Sequence, residues 1–281
     1  MPIITRFAPS PTGLLHLGHA YAAATAWRRA RAAGGRFLLR LEDIDPSRCR
    51  DEFADAIKTD LQWLGLDWDE TVRVQSEHLA DYRAVLDDLT ARGLIYPCFC
   101  TRADIAREVE ASASAPHAPD GSLVYPGLCR HRSVDERSAR IAAGEPFALR
   151  LDMTRAVAAV ADPLWFEEEG EGPIRCIPAA FGDVVLGRKD APASYHLCVT
   201  HDDALQGVTL VTRGEDLKSA THVHRLLQAL MGWPTPLYAH HRLLTDPSGR
   251  RLAKRDRAAT LRDLRAAGVT ATTLLAMMGS P

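Results

Sequence analysis

Over the first 96 residues, short apolar runs alternate with longer amphipathic ones. Ile3-Ile4-Thr5-Arg6-Phe7 is short and rich in β-branched residues, and Pro9, Pro11 and Gly13 close it, which predicts a strand followed by a turn. The Ala-rich stretch at residues 20–33 predicts a helix stopped by Gly34-Gly35. Arg36-Phe37-Leu38-Leu39-Arg40-Leu41-Glu42 predicts a second strand. Phe53, Ile57, Leu61 and Leu64 recur at helical spacing over residues 51–64. Residues 78–92 predict another helix, ended by Gly93. Repeated strand–helix order of this kind predicts an α/β fold with a doubly wound parallel sheet, whose ligands bind beyond the C-terminal ends of the strands.

The alternation breaks after Pro97. Residues 97–176 hold four cysteines, three of them between 98 and 129, with a Ser/Ala/Pro loop at 111–122 and the acidic run Glu167-Glu168-Glu169-Gly170-Glu171. From residue 181 the pattern returns, with strands expected at 183–186 and 208–213 and a helix at 221–231. Residues 97–176 therefore read as an insertion between two halves of one catalytic fold, 1–96 and 177–235. Residues 236–281 follow as a basic loop and a short C-terminal helical region.

Composition adds little to this picture: 46% hydrophobic and 25% charged residues in a chain of 281 support an ordinary buried core. The first residues lack a basic-then-apolar signal pattern, and no apolar run reaches membrane-spanning length, so a soluble, cytoplasmic protein without membrane contact is expected. A net charge of −2 excludes a surface coated in basic residues. One local exception runs from Arg250 to Arg265, where seven basic residues face two acidic ones. Such a run is most simply a solvated helix face, but its position beside a motif favours phosphate contact. Cys49, Cys176 and Cys198 stand alone and read as small packing residues.

The chemistry begins at His16-Leu17-Gly18-His19. A strand, a Pro/Gly turn and a helix N-terminus together make an anion site, because free backbone N–H groups and the positive helix end point outward. The two histidines share one face of the first turn, and Gly18 lets a flat ring or a phosphate approach the backbone. In its full context, Arg6-Phe-Ala-Pro-Ser-Pro-Thr-Gly-Leu-Leu-His-Leu-Gly-His19, this stretch resembles the His-x-Gly-His signature of class I aminoacyl-tRNA synthetases in their glutamate and glutamine form. The resemblance implies a Rossmann-like nucleotide fold. It implies ATP held by Pro9, Gly18, His16, His19 and Lys254, with Mg²⁺ arriving on the ATP. Arg251-Leu252-Ala253-Lys254-Arg255 sits where the family carries Lys-Met-Ser-Lys-Ser, and Lys254 matches the second lysine. Arg251 replaces the first lysine and Ala253 the serine. His16, His19 and Lys254 are thus the expected catalytic groups, stabilising charge that develops on the phosphate.

The same resemblance places a glutamate pocket. Arg6 is the implied partner of the substrate side-chain carboxylate, Glu42 of its α-amino group, and Ser10, Tyr195 and Arg213 complete the set. Guanidinium and carboxylate make bidentate, charge-assisted pairs. Two arginines also suit a diacid better than a neutral amide. Residues 97–176 correspond to the family's connective domain, which faces the tRNA acceptor end. There, Cys98-Phe99-Cys100 and Cys129 predict a closed, structural Zn²⁺ site, one ion per chain. The fourth ligand is Tyr125, four before Cys129, or His131, two after it. Imidazole is the commoner donor, whereas family resemblance favours Tyr125, and Tyr125 is the residue expected.

Only 26 residues follow Arg255, too few for an anticodon-binding domain. Within the family this resembles the short branch that activates L-glutamate with ATP without tRNA and attaches it to queuosine in the anticodon of tRNA(Asp). The expected partners are then ATP, L-glutamate and queuosine-containing tRNA(Asp), and the expected state is a monomer. The alternatives are a truncated glutamyl-tRNA synthetase charging tRNA(Glu) and a non-catalytic zinc RNA-binding paralogue.

Overall fold

A computed structural model of the chain describes residues 2–111, 117–160, 163–244 and 259–278. The first strand, β1 (Ile4–Phe7), is buried along its length. It leads through the Pro/Gly turn into α1 (Leu17–Ala32), whose inner face is nearly all alanine: Ala20, Ala23, Ala24, Ala26 and Ala30 are buried. Small side chains let this helix lie close against the sheet. The return is tight as well. Gly34, at φ +61°, closes the helix, and a Cβ on Gly35 would collide with the carbonyl oxygen of Ile3. That approach sets β2 (Arg36–Leu41) parallel to β1, with Ile4 opposite Arg36. After α2 (Asp51–Trp63) comes β3 (Asp69–Val74), parallel to β2. This strand lacks a regular apolar alternation, and the sequence pattern does not reveal it.

A 3₁₀ turn and α3 (Leu79–Ala91) end the first half. Next come β4 (Ile95–Cys98), α4 (Arg102–Ala111), α5 (Val134–Ala142), β5 (Ala148–Leu151) and α6 (Met153–Ala158). Strands β6 (Trp165–Glu168) and β7 (Gly172–Arg175) then form a hairpin. The chain continues through β8 (Val185–Gly187), α7 (Tyr195–Leu205), β9 (Leu210–Gly214), α8 (Thr221–Met231) and β10 (Leu237–His241) to α9 (Leu261–Ala266) and α10 (Ala271–Met277).

Strands β4, β5 and β8 form a separate antiparallel sheet. The strand expected at 183–186 thus occurs as β8, but it pairs within this sheet and not in the parallel one. The acidic run contributes to the hairpin, whose strand β6 joins β10 in parallel. Its pattern explains the placement: Phe166 and Glu168 are buried, while Trp165 and Glu167 are exposed.

The parallel layer is continuous across its centre. Thr209 N–H donates to Ile4 O at 3.0 Å, and Ile4 N–H donates to Thr209 Oγ1 at 2.8 Å. The order is therefore β3-β2-β1, then β9-β10-β6-β7. From β1 the chain winds one way through β2 and β3, and later the other way through β9 and β10. The crevice between the ends of β1 and β9 is the topological switch point.

Two larger cores flank this layer. One packs α1 and α2 on β1 and β2, and it takes in Leu261, Leu274 and Met278 from the C-terminal helices. The other joins α3, α7 and α8. Cys176 and Cys198 are buried in the latter, whereas Cys49 is partly exposed in a loop. No helix among the described residues is long and apolar enough to cross a membrane.

Leu261 is fully buried, and its N–H donates to Leu15 O at 2.8 Å. Leu261→Ala is expected to cost about 2–4 kcal/mol of unfolding free energy, seen as a lower denaturant midpoint at unchanged slope.

Candidate functional site

A cleft of about 520 Å³ opens at the switch point. Its walls include Arg6, Pro9, Ser10, His16, Gly18, His19, Glu42, Tyr195 and Arg213. Every expected ATP or glutamate residue except Lys254 thus lies in one cavity. Lys254, with Arg251 and Ala253, falls in residues 245–258, outside the described residues. The flanks of that segment both stand at the cleft: Leu244 lines it, and Thr260 forms a bridge with His16.

The imidazole turn is held by its own capping. His16 is the N-cap of α1. Its Nδ1 accepts from Gly18 N–H at 3.1 Å, and His19 Nδ1 accepts from His16 N–H at 3.2 Å. This is the reciprocal arrangement of a capping box, made here by two rings whose centroids lie 3.8 Å apart. Both rings are fixed beside the helix N-terminus, where an anion is favoured.

On the floor, Pro9 O accepts from Glu42 N–H at 3.1 Å, joining the turn to the end of β2. Arg6 is buried; its Nε donates to Asp203 Oδ1 at 2.9 Å and its NH1 to Thr212 O at 3.0 Å. Asp203 Oδ1 also accepts from Arg40 at 2.9 Å, and Arg40 reaches Glu42 at 3.4 Å. Its neighbour Asp202 accepts from Arg73 at 2.9 Å, from Gln75 at 2.9 Å and from Tyr82 at 2.8 Å. Burial pushes the Glu42 carboxyl up to about 7, against the pull of Arg40 and Arg6. Burial works against the Arg40 charge, yet Asp203, Glu42 and Asp202 outweigh it and raise that guanidinium further.

The opposite wall is built on neutral groups. Tyr195 opens α7 behind the N-cap Ser194, and burial raises its phenol. Arg213 donates to His240 Nε2 at 3.0 Å and to Thr221 Oγ1 at 2.7 Å, and pairs with His224 Nδ1 at 3.1 Å. Asp202, Asp203, Arg40, His224 and His240 were not legible as site residues. Arg40 stands two residues before Glu42 in the same strand, the others sit in runs without motif character, and only tertiary pairing brings them to the site.

In the antiparallel region, the sulfurs of Cys98, Cys100 and Cys129 all lie within 4.8 Å of one another. Tyr125 Oη is 3.4 Å from Cys98 Sγ and 3.5 Å from Cys100 Sγ, and it accepts from Cys129 N–H at 2.8 Å. Burial opposes ionisation of Cys129. Hydrogen bonds from the Phe99 backbone, Tyr125 and Arg132 outweigh it and lower that thiol to about 6. His131 is exposed and does not join the three sulfurs.

Residues 2–279 match the family of class I tRNA synthetases (E and Q), catalytic domain. The glutamyl-Q tRNA(Asp) synthetase of Rhodobacter capsulatus is 47% identical over 99% of this chain and 100% of its own length. That of Nitratidesulfovibrio vulgaris is 44% identical over 96% of this chain and 83% of its own. Among solved structures, a glutamate tRNA ligase from Elizabethkingia meningosepticum in complex with its amino acid superposes with a TM-score of 0.75 at 27% identity. That match covers 91% of this chain and 52% of the ligase.

The raised Glu42 carboxyl has a definite sign. The unfolded chain releases this proton near 4.5, and the folded chain holds it to about 7. Glu42 therefore withdraws stability as pH rises through that window. The buried histidines act oppositely: burial, then Arg213, lowers His196 to about 4 and His240 to about 3, so they withdraw stability as pH falls below 6.5. The difference between Glu42→Gln and the unaltered chain isolates Glu42. Relative stability of the variant should rise between pH 4.5 and 7, by on the order of 3 kcal/mol. Denaturant midpoints across that range measure it, and a pH-independent difference would contradict the reading.

Proposed function

Since the chain belongs to the class I tRNA synthetases of the glutamate and glutamine type, we propose that it activates L-glutamate with ATP and transfers it to queuosine in the anticodon of tRNA(Asp). The observation that carries this reading is the single cleft at the switch point, where the imidazole turn meets Arg6, Glu42, Tyr195 and Arg213. Relatives that share nearly the whole chain and bear the glutamyl-Q tRNA(Asp) name supply the acceptor.

In the first step a glutamate α-carboxylate oxygen attacks the α-phosphorus of ATP in line. The bond to the β-phosphate oxygen breaks, leaving pyrophosphate and glutamyl-adenylate. His16, His19 and Lys254 meet the charge on the phosphoryl oxygens, with Mg²⁺ carried by the ATP. Pro9 and Gly18 leave room for the nucleotide beside the backbone. Glu42 takes the substrate ammonium, which its ionised form binds, while Arg6, Ser10, Tyr195 and Arg213 orient the rest. Positioning, not an enzyme nucleophile, supplies the acceleration. In the second step a queuosine hydroxyl attacks the adenylate carbonyl carbon, AMP leaves with the bonding pair, and the hydroxyl proton is released to solvent or to the departing phosphate. The antiparallel part of residues 97–176, without the β6–β7 hairpin, serves as the tRNA-facing insertion. On this reading the protein works as a monomer in the cytoplasm.

Three gathered sulfurs and a phenol oxygen suit a tetrahedral structural Zn²⁺. Cys98, Cys100, Cys129 and Tyr125 would hold it, and it would cross-link the insertion without entering the reaction. Protein purified without chelator should carry one zinc per chain. Tyr125→Phe should lose metal and lower the melting temperature, whereas His131→Ala should do neither; the reverse result would move the fourth ligand.

Purified protein with Mg-ATP should catalyse glutamate-dependent pyrophosphate exchange without tRNA. Lys254→Ala should lower kcat by about 100-fold or more with a smaller change in glutamate KM. Labelled glutamate should then appear on an anticodon-loop fragment of tRNA(Asp), and only when queuosine is present. No exchange would indicate a non-catalytic paralogue. Label on the 3′-terminal adenosine of tRNA(Glu) would indicate a minimal glutamyl-tRNA synthetase.

A further inference from the structure

The two arginines of the cleft stand in opposite electrostatic states. Arg6 is bound directly to the Asp203 carboxylate. Arg213 makes no ion pair among the described residues; its hydrogen bonds go to His240, His224 and Thr221, and its guanidinium lies over the Tyr238 ring. A guanidinium only donates, so the imidazole nitrogens facing it are the unprotonated ones, and both tautomers follow. His224 carries its proton on Nε2 and donates it to His196 Nδ1, 3.1 Å away. His240 carries its proton on Nδ1 and donates it to Glu168 Oε2 at 2.7 Å. Burial first, then the Arg213 charge, keeps both rings neutral. Glu168, bonded to His240, is therefore one imidazole removed from the guanidinium.

Resting on the glutamate reading above, we propose that His224 and His240 are positioning residues that hold Arg213 aimed and unneutralised, so that Arg213, and not the Asp203-bound Arg6 to which the family resemblance gives that role, meets the substrate side-chain carboxylate and makes the cleft select a carboxylate over the isosteric amide. A carboxylate in direct contact would already occupy the guanidinium, and the substrate would have to displace it. Neutral acceptors fix the same geometry and leave the charge to be met. Glu168 offsets part of the cost of burying that charge at a distance from which it does not compete. Glutamine would leave the guanidinium uncompensated, a penalty that sites with buried polar groups use for discrimination.

Two isosteric variants separate charge from shape. His224→Gln still accepts from Arg213 and can donate to His196. His224→Glu also accepts from Arg213 but brings a carboxylate onto it. In pyrophosphate exchange, the Gln variant should keep its glutamate KM within about threefold of the unaltered protein. The Glu variant should raise KM at least about tenfold, the scale of one charge-assisted hydrogen bond. Its kcat should change less, and its preference for glutamate over glutamine should shrink. Thr221→Asn and Thr221→Asp repeat the contrast at the third acceptor should His224→Glu fold poorly. Equal KM and equal glutamate preference within each pair would overturn the positioning role. If the unaltered protein shows no glutamate-dependent exchange, the glutamate reading falls, and this inference falls with it.

Discussion

Two adjacent aspartates on one helix hold the parallel sheet in register. Asp203 takes Arg6 from β1 and Arg40 from β2, and Asp202 takes Arg73 from β3. Three neighbouring strands each send one guanidinium to α7, across sequence separations of 197, 163 and 129 residues. All these carboxylates and guanidiniums are buried or nearly so. Such a lattice is a poor source of net stability, because desolvation offsets much of the attraction. Its effect is geometric. Removing one partner strands a buried charge, at a cost of about 3–5 kcal/mol, so the strands and α7 are confined to one mutual arrangement. That arrangement places Tyr195, the first residue of α7, in the same cleft as Arg6 of β1.

The character of the cleft follows from this lattice. Its floor is already balanced, because Arg6 and Arg40 meet Asp203, and Arg40 reaches Glu42. A group entering there meets a paired surface, with Glu42 close to its point of half-ionisation. The far wall uses imidazoles in place of carboxylates and keeps a positive charge exposed to the cavity. On the proposed reading, a zwitterionic diacid would meet an acid for its ammonium on one side and a cation for a carboxylate on the other. The imidazole turn stands outside both, where the end of α1 favours phosphate.

Local chemistry was legible in the sequence, and long-range pairing was not. The turn at residues 9–19 declared itself because its prolines, glycines and histidines act through their own backbone. Helices α2 and α8 declared themselves through apolar periodicity. Strand β3 did not, since its sequence Asp-Glu-Thr-Val-Arg-Val is half-exposed and polar. Glu168 was hidden in an acidic run that reads as solvated surface. Its burial becomes visible only when β6 is paired with β10 and His240 lies opposite. Likewise Asp202 and Asp203 read as ordinary helix polar positions, and no periodicity marks a carboxylate that will meet arginines more than a hundred residues away. Nine expected site residues converged because each belonged to a motif; their supports belonged to none.

The insertion obeys a different economy. Its local buried cluster consists of Tyr96, Cys98, Phe99, Tyr125 and Cys129. Three of those five belong to the sulfur–phenol group, so little apolar core would remain if that group were not drawn together. Small loop-rich units of this kind depend on cross-links because their buried area is inadequate. One further tie is visible: Asp183 accepts from Tyr96, from Arg130 at 2.7 Å and from the Met153 N–H at 3.0 Å. That carboxylate binds the loop after Cys129 to β4 and α6, and hence to the edge of the catalytic core. Loss of the sulfur cluster would therefore loosen the insertion first, while the lattice on α7 would continue to hold the cleft.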